Sequence, residues 1–196
     1  IRIRRAINLA VDPEAFLART SNGAGIATRS LYTTSAPYYE EIELPETDVA
    51  AAKALVEEAK ADGVDTTLTL ITQSDQTSTT GSVTLKAMLE EAGLTVKVEQ
   101  LKSIPDQTNR LYVTGDYDIA TGALGIPISD PFSRFTSGLL GASPANAMRY
   151  SNPEMDKLIT DLQGADAEAA KPILTEIHKL WQETVPSVGY AAGAFF

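Results

Sequence analysis

Apolar residues first recur at helical spacing at Ile3, Ala6, Ile7 and Ala10, three and four positions apart, which places them on one stripe of a helix. Asp12, Pro13 and Glu14 then read as an N-cap, a proline at the first helical position and an acid at the positive end of the dipole. A second helix carrying Phe16 and Leu17 is therefore predicted, ending near Ser21, Asn22 and Gly23. Residues 23–46 are rich in Gly, Ser, Thr, Pro and Tyr without a clear period and predict a long loop. Asp48 caps a third helix with the stripe Ala52, Leu55, Val56 and Ala59, which Gly63 ends.

The period then changes. Residues 67–71 are β-rich with Leu68 and Leu70 alternating, Leu85, Met88, Leu89 and Ala92 return to helical spacing, and residues 95–101 alternate through Val96 and Val98. The polar residues 74–82 between them read as a loop. Ser103 and Pro105 open a further helix through Thr108, Leu111 and Tyr112, Gly115 stops it, and residues 117–123 form a third strand. Two successive crossovers of this kind imply an α/β fold with a mainly parallel sheet flanked by helices, taken as a single lobe over residues 1–196.

Beyond that strand, residues 125–130 form a loop and Pro131 to Phe135 a short helix. Asn152 and Pro153 cap a helix that buries Met155, Leu158, Ile159 and Leu162. Asp166 opens the last long helix, with the stripe Ile173, Ile177, Leu180, Trp181 and Thr184. Pro186 ends it, and Val188 with Tyr190 predicts a closing strand.

Charge and composition narrow the function. Twenty-six acidic against 16 basic residues give a formal charge of -10, which argues against a nucleic-acid partner. No run approaches the roughly 18 apolar residues of a membrane span. The absence of cysteine removes disulfides and thiolate chemistry. The sequence opens inside a helical pattern without an initiating methionine, so it is read as a piece of a longer protein whose targeting segment lies elsewhere.

Catalytic chemistry finds no footing. The lone histidine, His178, falls inside the last helix beside Lys179 and is read as an ordinary surface or boundary residue without a triad partner. The glycines at 23 and 25 follow a helix and lack both the third glycine and the preceding strand of a dinucleotide fingerprint. Asp116, Asp118 and Asp130 suit a hard cation chemically, but Asp116 and Asp118 flank Tyr117 and point to opposite faces of a strand. They are read as solvated charges, and no enzyme activity, metal or cofactor is expected.

Four stretches together resemble the C-terminal part of the bacterial family 5 extracellular solute-binding proteins, the peptide, oligopeptide and nickel binders of ATP-driven importers. They are Ile3-Arg4-Arg5-Ala6-Ile7-Asn8-Leu9-Ala10-Val11-Asp12-Pro13-Glu14; residues 49–63; Leu85-Lys86-Ala87-Met88-Leu89-Glu90-Glu91-Ala92-Gly93-Leu94-Thr95-Val96-Lys97-Val98 with Gly115-Asp116-Tyr117-Asp118; and Tyr150-Ser151-Asn152-Pro153-Glu154-Met155-Asp156-Lys157-Leu158-Ile159 with Glu183-Thr184-Val185-Pro186-Ser187-Val188. The resemblance implies one lobe of the type II periplasmic-binding fold, with the N-terminal lobe of the same polypeptide outside this chain. It further implies a small-molecule or peptide solute gripped between lobes, ABC permease subunits as partners, and an extracytoplasmic location, periplasmic or lipid-anchored on the outer cell surface. A sensor or regulatory domain on the same fold is the alternative.

The resemblance also supplies a site. The loop of Leu124, Gly125, Ile126, Pro127, Ile128, Ser129 and Asp130 matches the one that faces the family's cleft. Leu124 stands where peptide binders carry tryptophan, and Pro127 where they carry the aspartate that pairs with a peptide amine. An ammonium left unpaired there costs several kcal/mol, so peptide specificity is in question. Asp130 matches the second acidic position, where it either serves a cation or caps the following helix. Arg134 either clamps an anionic ligand or pairs with Asp130, and the pairing is the favoured reading. Tyr32, Tyr38 and Tyr39 either stack on ligand or pack against the other lobe.

Overall fold

Leu68 and Leu70 alternate with threonines until Ile71, after which burial becomes continuous through Thr72, and this marks β2 (Thr67–Gln73) as a strand covered on both faces. The computed structural model describes residues 1–127 and 129–192. They form two compact units, one of Ile1–Arg29, Pro45–Thr121 and residues 188–192, the other of Ser30–Leu44, residues 122–127 and residues 129–187.

In the first unit β2 is the central strand of a parallel sheet, with β3 (Thr95–Leu101) on one side and β4 (Ile119–Ala120) on the other. The register sets Leu68 beside Val96 and Leu70 between Val98 and Ile119, so their apolar side chains share a face. Helices α1 (Arg2–Ala10), α2 (Pro13–Ser21), α3 (Val49–Ala61) and α4 (Gln76–Glu91) build the rest of the unit. Ala6 and Ala10 of α1 are buried in one core with Ala52 and Val56 of α3, Leu85 and Leu89 of α4, and Leu70. Asp12 and Asp48 cap their helices as the sequence predicts, accepting from the N–H groups of Ala15 and Ala51.

Three sequence expectations are corrected in this unit. Residues 74–82 are not a loop: the Asp75 carboxylate accepts from Ser78 N at 3.0 Å and starts α4 at Gln76. The third strand is two residues long instead of seven. The Asp118 N–H donates to the Thr69 carbonyl at 3.0 Å, while its side-chain Oδ2 accepts the Thr69 N–H at 2.7 Å, a donor that a longer strand would pair through its backbone. The closing strand is β5 (Ala191–Ala192), which lies antiparallel to β1 (Ile26–Ala27) inside the predicted loop. The expected helix after Ser103 forms as α5 (Ile104–Thr108) followed by a π-helical turn, Asn109–Thr114, and Gly115 ends it at φ 63°.

The second unit is helical: α6 (Pro131–Gly138), α7 (Pro153–Leu162) and α8 (Ala167–Thr184). Its core joins Phe135 and Leu139 to Met155 and Ile159 of α7 and to Leu174, Ile177 and Trp181 of α8. Asn152 caps α7 by accepting from Glu154 N and Met155 N. His178 is corrected from surface or boundary to core, with 1% of its surface exposed.

Candidate functional site

The residues singled out by sequence sit mainly in the second unit. Leu124 and Ile126 are half-buried, while Gly125, Pro127, Ser129 and Asp130 are exposed, so the turn is rooted by its apolar members and presents its polar ones. Ile128 lies outside the described residues. Ile126 packs against the core that contains Phe135. Leu124 is seated on α6 because residue 138 is glycine: a Cβ there would stand 3.2 Å from Leu124 Cδ1.

Arg134 folds back over this root. Its Nε donates to the Gly125 carbonyl at 2.9 Å, fixing the turn to the first turns of α6. The favoured pairing of Arg134 with Asp130 is corrected: among the described residues the Arg134 guanidinium enters no salt bridge. Nor does Asp130 cap α6, for it holds the N-cap position without a side-chain hydrogen bond. Its backbone carbonyl accepts from Ser133 Oγ at 3.3 Å instead.

Tyr32 is a core residue, 5% exposed. Its hydroxyl donates to the Leu174 carbonyl at 3.1 Å, and its ring meets Tyr38, Phe135 and His178 edge-on at 5.0, 6.2 and 5.2 Å. Burial pushes its phenol far above the usual tyrosine range. The Tyr32 ring is therefore used in packing, while Tyr38 and Tyr39 are half-buried against the same core. His178 lies behind it with Nε2 accepting from Leu31 N at 3.1 Å, and desolvation lowers its pKa to about 4.

The carboxylates considered for a cation are dispersed. Asp118 is bound to Thr69 N, and Asp116 lies 3.9 Å from Arg110 Nη2 while its carbonyl accepts from Arg110 Nε at 2.8 Å. Among the described residues no group of three His, Asp or Glu side chains is placed to hold a metal ion.

Sequence reasoning missed a polar rim in the first unit, at the carboxyl ends of its parallel strands. Thr121 Oγ1 donates to Thr72 Oγ1 at 2.9 Å, and Gln73 Nε2 donates to Gln107 Oε1 at 2.7 Å. Ligands of open parallel sheets bind at such ends. The available signal was the abrupt change from Leu70-Ile71 to Thr72-Gln73-Ser74, which the expected loop absorbed.

Known proteins give this geometry a context. The sequence model of the bacterial extracellular solute-binding proteins, family 5, middle region, matches residues 1–146. A dipeptide-binding protein from Pseudoalteromonas sp. SM9913, solved with Met-Leu, is similar with a TM-score of 0.84 and 21% identity over 98% of this chain and 39% of its own. A nickel-binding protein, NikA, from Staphylococcus aureus, solved with Ni(L-His)2, gives 0.83 and 21% over 97% of this chain and 41% of its own. The binding protein AgaA from A. tumefaciens R10, solved with agropinic acid, gives 0.82 and 20% over 97% and 40%. The chain thus spans about 40% of the length of these three solved relatives. No curated protein matches in sequence. Family and fold alike are those of binding proteins, with a parallel sheet and flanking helices.

Proposed function

This chain belongs to the bacterial extracellular solute-binding proteins of family 5, and from that premise we propose that it is part of the substrate-binding component of an ABC importer. It supplies one wall of a cleft that captures a small solute, a peptide or a peptide-like molecule, outside the cytoplasm. The remainder of the polypeptide supplies the opposing wall, and membrane permease subunits receive the solute. Binding here involves no bond chemistry and no cofactor.

The observation that carries this reading is the turn of residues 124–130. Its root is fixed by Leu124 on α6 and by Arg134 on the Gly125 carbonyl, while Pro127, Ser129 and Asp130 are exposed. A rigid root with an open rim suits recognition, because little ordering cost remains when a ligand arrives. Pro127 offers no charge to a peptide amine, so a solute must find its polar partners elsewhere on the turn.

The test is thermal unfolding of the full-length protein with a panel of Met-Leu, agropinic acid and nickel-histidine. Binding by one of them stabilises the folded state by about 2.7 kcal/mol at a hundredfold excess over its Kd. A flat melting temperature across that panel and a wider set of peptides, sugars and opines contradicts the proposal.

A further inference from the structure

We propose that Arg134 is a specificity-determining residue of the 124–130 turn, and that the solute carries a carboxylate received by its guanidinium. This deepens the solute-binding reading and rests on it.

The argument starts from how the side chain is held. Nε is spent on the Gly125 carbonyl at 2.9 Å, and Nη2 lies 4.0 Å from where a Cβ on Gly125 would stand. The guanidinium therefore lies along the backbone of the turn, with its plane set by a main-chain contact instead of by solvent. Among the described residues one donor of five is committed, and the donors on the two terminal nitrogens remain for a planar oxyanion.

Two other arginines, Arg110 and Arg2, are neutralised from within. Arg110 Nη2 meets Glu99 at 2.9 Å and Asp116 at 3.9 Å, and Arg2 meets Asp62 and Glu58. Arg134 is exposed and leaves the carboxylate of Asp130, four residues earlier on the same segment, without an ion pair among the described residues. The described part of the turn offers no other cation, since Leu124, Gly125, Ile126, Pro127, Ser129 and Asp130 are neutral or acidic. A fixed fork with no counterion among the described residues is a receptor for a carboxylate, which it can bind bidentately. Pre-organisation by Gly125 removes much of the rotamer cost that a free arginine incurs on binding.

The competing role is bracing, in which Arg134 only holds the turn. Calorimetry on the full-length protein separates the two, with Met-Leu and its C-terminal amide as probes and Arg134→Gln and Arg134→Lys as variants. The proposal expects wild type to prefer the acid over the amide by about 10- to 100-fold. R134Q lowers affinity for the acid to that for the amide and leaves the amide unchanged, and R134K, which keeps the charge without the fork, falls between. Equal losses for acid and amide in R134Q, or wild type binding both equally, overturns the carboxylate assignment while solute binding stands. Failure of wild type to bind either probe or any member of the earlier panel counts against the solute-binding reading itself.

Discussion

His178 Nε2 accepts the backbone N–H of Leu31 at 3.1 Å, so a ring in the last long helix holds the start of a segment 147 residues earlier in the chain. The acceptor exists only while the imidazole is neutral. Burial keeps it so by lowering its pKa from 6.5 to about 4, with desolvation as the cause. Tyr32 meets the ring edge-on and itself meets Tyr38; Glu40 pairs with Lys171 at 3.2 Å, and Lys179 pairs with Glu176.

The sign of the pH dependence follows. Unfolded His178 takes up a proton near pH 6.5, whereas the folded ring does so only near pH 4, so between these values the unfolded state binds more protons. Stability is fully present above about pH 6.5 and is lost as pH falls toward 4, by roughly 3 kcal/mol in total. His178→Gln, whose amide oxygen can accept from Leu31 without titrating, is expected to flatten that slope. Urea unfolding across pH 4–7 measures it, and an unchanged slope in H178Q contradicts the assignment.

Arg29 is the second buried polar anchor, 5% exposed at the end of its segment of the first unit. Its guanidinium donates to the Asn8 and Val11 carbonyls, to Asn8 Oδ1 at 3.2 Å and to Thr47 Oγ1 at 2.8 Å. The charge sits at the negative end of α1's dipole. Arg29→Leu strands those acceptors and is expected to cost about 2–4 kcal/mol. The urea midpoint reads it; a shift within experimental scatter means that water replaces the fork.

Gly138 sets the root of the turn. Ala at this position brings a Cβ to 3.2 Å from Leu124 Cδ1, and Val adds a branch to the same contact. Overpacking of this kind costs about 1–3 kcal/mol, and the prediction is that Gly138→Val displaces Leu124 and weakens solute binding by roughly fivefold or more, at about 1.4 kcal/mol per tenfold. Titration calorimetry against wild type decides it, with unaltered affinity as the contrary result.

Much of this was legible in sequence because it is local. Asp12-Pro13 and Asn152-Pro153 fix helix starts through neighbouring N–H groups, and the Leu68/Leu70 and Val96/Val98 alternations fix two parallel strands. What escaped depends on distant partners. Residues 76–82 contain no apolar stripe, so α4's first two turns were hidden although Asp75 was an available cap. β4 is short because Asp118 reaches Thr69, 49 residues away, and β5 forms only because Ile26 and Ala27 lie beside it. His178 looked peripheral because its neighbours Lys179 and Glu176 are exposed, yet the residues that bury it, Tyr32 among them, come from far along the chain. In the site, the sequence located the turn and Arg134 but not the Gly125 carbonyl that Arg134 chooses over Asp130.

Backbone hydrogen exchange of the full-length protein, with and without a saturating solute, tests the central claim most directly. The account predicts slowed exchange at residues 124–126 and along the first turns of α6, with the helices α7 and α8 unchanged. Solute binding that leaves 124–134 exchanging at the free rate contradicts it.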